Sequence, residues 1–588
     1  MDVLSNRFRW FRHLLAVPLL AASPFAQTPG DGAPLAGVHP GYDIMNLLPT
    51  GLQPGVSGMD FFSDGRLAIS TWGGNHDALV PPSQKGEVYV FSNVAGTDPA
   101  QITYKKFASG LQEPLGLKVV NDTIYVSERT AVAMLVDKDK DGVMDADGYK
   151  KWVTYTSGAA RHEFFFGLAY HDGYFYGSHS LSLNSGASFV PQPDANRGTY
   201  VRIQKSTAKS EYISGGAREP FGIGVNPMGE VFSTEVQGSW NPACAFTQVK
   251  PGRFYGHPLL QQVPKSPFDD MPYLAPAVLL PQSEIANAPG QPIYLDKGPF
   301  QGQYLYGDVR YGGVQRVYLE KVAGEYQGAV FRFSAGFMGG VSRLALGSNG
   351  DIYVGQIGDP SGDWIEIGKK TWGLQRLRAN GKTAFEILSL RSRPTGMELE
   401  FTEPVAADAN LTARYVVKTW TYTRTSEYGG PKVDSKTLTV SSVQVSPDKK
   451  KVYLEVAGLK KGYVVHVRLA GLKSADAKTP WSAESWYTLN NFGTGNPFDP
   501  VVSAREPGSK APAGGFEMSR AAGKTILRVT SGGPYALRVM DIRGILRAEF
   551  RGDGSGVHSL AGSGLAPGMY TVTLSLPSGN VSRPLVWF

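Results

Sequence analysis

The sequence predicts an all-β protein: a six-bladed β-propeller, then an immunoglobulin- or fibronectin-like β-sandwich, then a small C-terminal β-sandwich. Three observations lead to this prediction. One hairpin-like segment recurs along the first two thirds of the chain. Its 588 residues include 71 glycines and 40 prolines, a composition typical of turn-rich β-structure, and 42% are hydrophobic, which argues against disorder. Short stretches of alternating apolar and polar residues follow the repeats, and amphipathic helical patterns are almost absent.

The recurring segment defines the propeller. Each copy has a turn rich in Gly or Pro, a Gly that opens an apolar alternation, a polar turn and a second short strand such as Ile-Tyr-Val. Five copies are evident: Gly51–Thr71, Gly110–Arg129, His162–Ser180, Gly216–Glu235 and Gly336–Gly358. The aligned glycines are Gly58, Gly116, Gly167, Gly222 and Gly340, so the steps are 58, 51, 55 and 118 residues. The last step is about two periods, and Gly290–Val309 supplies a sixth copy. Strand hairpins at this period indicate blades, whose turns should meet around the axis on one face.

The remaining segments are assigned from changes in pattern. We expect a signal peptide at 1–26, a linker rich in Gly, Pro and Ala at 27–40 and the propeller at 41–384. Alternating strands then predict a sandwich at 385–490. A stretch rich in Gly, Pro, Asn and Ser predicts a linker at 491–515, before the last sandwich at 516–588.

The N-terminal sequence is typical of an export signal. Arg7, Arg9 and Arg12 precede the short apolar run Leu14–Ala22, and a small residue, Ala26, suits cleavage. The alternative is a membrane anchor, for which this run is too short, and no later stretch has the length of a membrane span. The lone cysteine excludes an internal disulfide, so stability must come from packing, with bound metal as an additional candidate source. The net charge of +7 is scattered, which argues against nucleic-acid binding.

The last segment carries loose motifs of its own. A strand from Tyr535 ends in Asp-Ile-Arg-Gly544, the phrase Leu565-Ala-Pro-Gly-Met-Tyr570 follows, and a Ser-Gly turn precedes the final strand. These features resemble the C-terminal sorting domain of the type IX secretion system. The resemblance implies passage through the outer membrane and release or anchoring outside a bacterium. An ordinary adhesion or spacer module is the alternative.

An acidic loop predicts a calcium site. Five aspartates occur within the eleven residues that begin at Asp137. Ca²⁺ prefers six to eight oxygen ligands, and this spacing offers the side chains of Asp137, Asp139, Asp141 and Asp145 together with the carbonyl of Val143. Position 12, where an EF-hand has Glu, is Gly148, so we expect a different Ca²⁺ loop with a structural role. A solvated acidic turn is the alternative.

Two blade-opening turns contain candidate catalytic residues. His162 heads the third copy and should therefore lie on the axial rim, where a histidine can act as a general base near neutral pH. Arg218 occupies the equivalent turn of the fourth copy and offers a fixed charge with a planar set of donors. For Arg218 alone, a salt bridge between blades is the alternative.

These residues, with two further phrases, carry a family resemblance. Four features together resemble the quinoprotein sugar dehydrogenases. They are the rim His162, the Arg-x-Pro-x-Gly motif at Arg218–Gly222, the Glu235 to Gly238 stretch and the motif Val-x-x-Gly-x-x-Tyr-Gly-x-Pro at 249–258. This family includes soluble glucose, aldose sugar and sorbosone dehydrogenases. The resemblance covers about residues 45–380. Glu219 and Phe221 stand where the family usually has Asn and Gln.

The resemblance implies a function. The family has a six-bladed propeller with pyrroloquinoline quinone (PQQ) on the axis. His162 would be the general base that takes the proton from a sugar hydroxyl while hydride passes to the quinone, and Arg218 would hold the quinone oxygens. Late-blade basic residues would bind the PQQ carboxylates, and the candidates here are Arg310, Arg316 and Arg343. The chain has no haem attachment motif, so an external acceptor such as a cytochrome is implied.

The sequence leaves three functions open. The first is an exported oxidoreductase that oxidises a sugar or a related alcohol with PQQ and Ca²⁺. The second is a non-catalytic propeller that binds a polysaccharide or a surface protein, which Glu219 and Phe221 favour. The third is hydrolysis of a lactone or an ester, with Ca²⁺ polarising a carbonyl. No nucleophile elbow, phosphate loop or zinc helix is present in the sequence.

Overall fold

The structure is a computed structural model that describes residues 35–74, 84–158, 160, 162–184, 190–259, 265–359 and 364–499. In the last segment it describes 514–521, 524–531, 533–541, 545–560, 565, 568–576 and 579–587. The expected signal peptide therefore lies outside the described residues, as do most of the two expected linkers. In the described part of the chain the regular structure is β-strand with a few short 3₁₀ turns, at Pro99–Gln101, Ala407–Asn410 and Thr412–Arg414. No helix long and apolar enough to cross a bilayer was found among these residues.

Six antiparallel blades of four strands each form the propeller, and blade five belongs to a larger sheet. Blade one has β2–β5 (Val56–Phe61, Leu67–Thr71, Gly86–Ser92, Thr103–Leu111), and blade two has β6–β9 (Leu117–Val120, Thr123–Glu128, Ala131–Leu135, Tyr149–Thr154). Blade three has β10–β13 (Phe165–His171, Tyr174–His179, Thr199–Gln204, Ser210–Gly215), and blade four has β14–β17 (Gly222–Val225, Val231–Glu235, Cys244–Val249, Val278–Leu280). Blade five has β18–β21 (Ile293–Tyr294, Tyr304–Gly307, Val314–Val322, Glu325–Ser334). The sixth has β22–β24 (Gly340–Leu346, Ile352–Ile357, Trp372–Ala379) and the N-terminal β1 (Tyr42–Asn46). The predicted fold class is confirmed, and each sequence repeat forms the two inner strands of one blade.

The blades close into a ring. β1 pairs with β24 in the sixth blade, from Tyr42 opposite Ala379 to Asn46 opposite Gln375. The innermost strands of neighbouring blades contact one another, including the first blade and the sixth. Across that last junction the hydroxyl of Ser342 donates to the carbonyl of Val56 at 2.6 Å. The first and last parts of the repeat region therefore share one blade.

The aligned glycines mark the contacts between blades. A Cβ atom on Gly58 would come within 2.5 Å of the Leu117 nitrogen in the second blade. A Cβ on Gly116 would overlap the backbone of Gly167, and one on Gly222 would overlap that of Gly290. Glycine recurs in the sequence because the backbones of adjacent inner strands approach too closely for a side chain.

Residues beyond the propeller continue its fifth blade. β21 pairs with β32 (Glu484–Leu489), which begins the series β32, β31 (Tyr463–Leu469), β27 (Tyr415–Thr421) and β28 (Val433–Leu438). The result is one eight-stranded sheet. A second sheet of β25 (Ile387–Arg393), β26 (Gly396–Phe401), β30 (Lys451–Val456) and β29 (Val440–Val445) completes the sandwich. The described residues from 35 to 499 belong to one compact unit, so the sandwich is built onto blade five.

Residues 502–588 form a second unit. It contains a three-stranded sheet of β33 (Gly514–Ala521), β34 (Lys524–Ser531) and β37 (Gly556–Ser559), and a four-stranded sheet of β36 (Leu546–Asp553), β35 (Pro534–Asp541), β38 (Gly568–Leu576) and β39 (Gly579–Trp587). Leu527, Leu537, Val572 and Leu574 are fully buried in its core. This unit is the small C-terminal β-sandwich that the sequence predicts.

Candidate active site at the propeller axis

An apolar cluster joins all six blades. Its buried members are Trp72, Leu115, Phe164, Phe166, Phe221, Ala288, Val309 and Ile357, and Trp364 packs against them. Trp364 stacks edge-on against both Trp72 and Phe221, with ring centroids 6.0 and 5.5 Å apart. The centre of the ring is therefore filled by aromatic side chains. Phe221, which departs from the quinoprotein pattern, is one of them.

A histidine, a glutamate and an arginine are linked beside this cluster. His162 precedes β10 and Arg218 precedes β14, so the opening turns of blades three and four meet. Nδ1 of His162 lies 2.8 Å from one carboxylate oxygen of Glu219, and Nη1 of Arg218 donates to the other at 3.1 Å. The side chains of His162 and Glu219 are each 14% exposed, whereas that of Arg218 is buried. The structure thus brings the two predicted catalytic residues together through a third residue.

The backbone fixes the positions of this group. His162 forms a two-way bridge with Leu183, with N–O distances of 3.0 and 3.1 Å. The Glu219 amide donates to the buried carboxyl of Glu235 at 2.5 Å. Burial raises the pKa of Glu235 to about 8, so this carboxyl is largely protonated at neutral pH.

A loop from the sandwich covers Arg218. The loop between β27 and β28 pairs with the 238–242 turn of blade four through two backbone hydrogen bonds. The Gly429 amide donates to the Gly238 carbonyl at 3.0 Å, and the Trp240 amide donates to the Thr425 carbonyl at 2.7 Å. The ring of Tyr428 then lies 5.2 Å from the guanidinium of Arg218. Sequence reasoning missed Tyr428, because nothing in its local pattern indicates which blade the loop reaches.

The three late-blade arginines occupy different environments. Arg343 is fully buried and donates to the carbonyls of Ser57, Leu115 and Ser342. Arg316 lies on β20, between the rings of Phe300 and Phe331, and pairs with Glu386 at 3.1 Å. Both side chains therefore hold parts of the fold together. Arg310, in contrast, is only half-buried and lines a cavity near the axis.

The described donors do not fit PQQ. A cofactor with three carboxylates needs several cations that are not already neutralised. Arg218 is paired with Glu219, while Arg316 and Arg343 are committed to other partners. The carboxylate of Glu219 adjoins Arg218 itself. This arrangement disfavours a multiply charged anion at the axis.

The acidic loop brings three of its predicted ligands together. Carboxylate oxygens of Asp137, Asp139 and Asp145 lie within 4.8 Å of one another. One buried oxygen of Asp137 has no hydrogen-bond partner among the described residues. Asp141 instead accepts the Val143 amide at 2.8 Å, as in an ordinary turn. A Ca²⁺ site in this loop stays a prediction.

Comparison with known proteins gives one partial family match and several distant structures. Residues 84–264 match a model described as a domain of unknown function, DUF7133. No curated protein matches the chain.

The chain is similar to a putative oxidoreductase (glucose dehydrogenase) of Thermus thermophilus, at 18% identity and a TM-score of 0.41, over 57% of this chain and 100% of that one. It is also similar to the PQQ-bound aldose sugar dehydrogenase of Streptomyces coelicolor (15%, TM-score 0.41, 59% and 99%) and to the PQQ domain of Coprinopsis cinerea pyranose dehydrogenase (11%, TM-score 0.41, 60% and 98%). Because these identities and TM-scores are low, we infer the fold from the sheet topology and the chemistry from the residues of the site.

Proposed function

We propose that the chain oxidises a sugar or a related alcohol at the axial face of the propeller, with His162 as the general base. The observation that carries this proposal is the His162–Glu219 pair. A carboxylate that accepts the Nδ1 proton of a neutral imidazole leaves the basic lone pair on Nε2, and it stabilises the imidazolium that forms on protonation.

The chemistry then follows from the residues. Nε2 of His162 takes the hydroxyl proton, and the hydride on the same carbon passes to a two-electron acceptor, so the carbon–oxygen bond becomes a carbonyl. Because the described donors do not fit PQQ as a resident cofactor, we propose a soluble quinone as the acceptor. Arg218, held by Glu219, the Gln237 carbonyl and Tyr428, keeps the carboxylate of Glu219 aimed at His162.

A dye-linked assay tests this proposal. The purified chain is mixed with a panel of aldoses and alditols, a redox dye, and either a soluble quinone or PQQ with Ca²⁺. We expect substrate-dependent dye reduction with the soluble quinone. Turnover that strictly requires PQQ would overturn the choice of acceptor and restore the resident cofactor. Absence of turnover in every arm would contradict the proposed function.

Variants of the base provide the mechanistic check. We expect His162→Ala to lower kcat by about a hundredfold or more, because general bases contribute roughly 10² to 10⁴ in rate. Glu219→Gln should lower kcat by about tenfold or more, since it orients the base. His171→Ala is the matched control, because His171 lies at the far end of β10, the strand that follows His162. Equal losses in His171→Ala and His162→Ala would contradict the assigned role.

A second candidate function is non-catalytic binding of a polysaccharide or a surface protein. The axial cluster favours this binding function. Its aromatic side chains occupy the centre of the ring, where the family resemblance would put a cofactor. Saturable binding of an oligosaccharide without turnover in any acceptor arm would support this alternative.

We also propose that the protein is exported to the outer surface of a bacterium, as its expected signal peptide and sorting-like C-terminal segment suggest. Fractionation of cells expressing the full chain tests this proposal, with a chain lacking residues 516–588 as the comparison. Retention of both chains in the cytoplasm would contradict it.

A further inference from the structure

A cavity of about 440 Å³ lies beside blade five on the same side as the axial cluster. Asn287, Arg310 and Glu366 line it, and their near neighbours Ala288, Val309 and Trp364 belong to the axial cluster. Its volume falls within the range of pockets for small ligands. The cavity therefore adjoins the axial cluster.

Gln315 presents an unpaired acceptor in this cavity. Its side chain is only 3% exposed, and its Nε2 donates to the Gly312 carbonyl at 3.1 Å. That bond fixes which end of the amide is oxygen. Oε1 is buried and has no hydrogen-bond partner among the described residues. A buried acceptor left unpaired is destabilising, so this oxygen indicates a missing donor.

Glu366 presents a second acceptor. One of its carboxyl oxygens is also buried without a hydrogen-bond partner in the described structure. Its carboxyl group packs onto Gly312, where any Cβ atom would overlap it. Gln315 and Glu366 therefore meet at the same glycine.

The charges around the cavity narrow the class of ligand. Arg310 and Arg332 both line it, which disfavours a metal cation. The two buried acceptors disfavour an anion, and an apolar ligand would leave them unpaired. A neutral molecule with several hydroxyl groups satisfies both acceptors, because each hydroxyl can donate a hydrogen bond to one of them.

We propose that this cavity binds the polyhydroxylated substrate, a monosaccharide or an alditol, through hydroxyl donation to Gln315 and Glu366. This inference rests on the proposed function, because it names the substrate class of the same axial face. It adds two residues that select for hydroxyl-rich ligands and that lie apart from His162 in the sequence.

Calorimetric titration of the full chain tests the cavity. The probes are glucose and xylitol, with cyclohexanol, which has a single hydroxyl group, as a control of similar size. We expect saturable binding of at least one of the two polyols and none of cyclohexanol. Gln315→Met removes the acceptor at nearly constant volume and should weaken binding roughly fivefold. The matched control, Gln291→Met, alters a glutamine that lines a different cavity and should leave affinity unchanged.

Further arms separate this inference from the proposed function. Glu366→Met tests the second acceptor, and it decides the matter if Gln315→Met fails to fold. His162→Ala should keep polyol binding while losing turnover. In the wild type, binding without oxidation would refute the reaction and leave the cavity assignment standing. Equal affinity in the wild type, Gln315→Met and Glu366→Met would overturn the cavity assignment. Displacement of a bound polyol by micromolar PQQ would also overturn it.

Discussion

At the scale of single residues, Glu235 shows how a buried carboxyl supports the candidate site. It is enclosed by blade four and accepts the amide of Glu219, the residue that orients His162. Burial, only partly offset by hydrogen bonds and by Arg218, raises the pKa of Glu235 from 4.5 to about 8. The native protein therefore keeps a proton that the unfolded chain loses above pH 4.5.

Because the native protein retains this proton, the free energy of unfolding should depend on pH. The contribution of Glu235 is fully present below about pH 4.5 and is lost as pH rises towards 8. Relative to Glu235→Gln, which keeps the acceptor, the free energy of unfolding of the wild type should fall between pH 5 and 8 by about 1 kcal/mol per pH unit. Urea titrations at four pH values measure this difference. The exposed Glu211→Gln should show no such slope, and a flat difference for Glu235→Gln would contradict the buried protonated carboxyl.

Part of the candidate site could be predicted residue by residue. The repeat register placed His162 and Arg218 in equivalent turns, and the structure puts both at the junction of blades three and four. The role of Glu219 could not be predicted, because pairing with His162 depends on how two turns 57 residues apart face each other. The partners of Arg316 and Arg343 were equally inaccessible, since these side chains bond to carbonyls in distant parts of the chain.

At the scale of elements, Arg343 connects four blades. From β22 it reaches carbonyls in blades one and two, and its guanidinium lies 4.8 Å from the ring of Phe221 in blade four. Desolvation lowers the pKa of Arg343 to about 9, which leaves the group charged at neutral pH.

Loss of Arg343 should destabilise the ring. Arg343→Met leaves three carbonyl groups without their donor, so we expect the free energy of unfolding to fall by about 3 kcal/mol or more. Chemical denaturation measures the change. Arg202→Met, which removes a partly exposed pair with Glu211 and a contact with the ring of Tyr174, should cost less than about 1 kcal/mol and serves as the control. Similar losses in the two variants would show that the buried contacts of Arg343 contribute little.

The acidic loop between β8 and β9 gives a prediction about metal. Bringing the carboxylates of Asp137, Asp139 and Asp145 close together without a cation is unfavourable. We therefore expect Ca²⁺ to raise the Tm by several degrees, and chelation to reverse the rise. Asp139→Ala should abolish the response, whereas Asp147→Ala, outside the three-carboxylate group, should retain it. An unchanged Tm on adding Ca²⁺ to the wild type would remove the site.

At the scale of the whole molecule, the sheet that continues from blade five into the sandwich joins the propeller to that sandwich. Trp486 on β32 is fully buried in a core that also contains Phe232, Tyr304 and Val330 of the propeller. Its indole donates to Glu284 at 3.0 Å. Alternating strands predicted the sandwich, but no sequence pattern indicated that its edge would pair with β21.

We expect the propeller and this sandwich to unfold together. Trp486→Ala should cost about 3–5 kcal/mol and should increase hydrogen exchange in peptides of both blade five and β27–β32. Exchange mass spectrometry of the full chain measures this effect. Val572→Ala, in the core of the 502–588 unit, is the control and should leave those peptides protected. Faster exchange confined to β27–β32 in Trp486→Ala would contradict joint unfolding.

The pairing of β1 with β24 has a kinetic consequence. β1, the first strand among the described residues, finds its partner only after the other strands of the propeller have been synthesised, because Tyr42 lies opposite Ala379. Until then β1 is an unpaired edge, and the final step is the closure of a very long loop, for which the entropic cost is high and the rate low. An incomplete chain that ends before Trp372 therefore leaves its first strand available for pairing with other molecules, so the newly made protein is most prone to aggregation just before its ring closes.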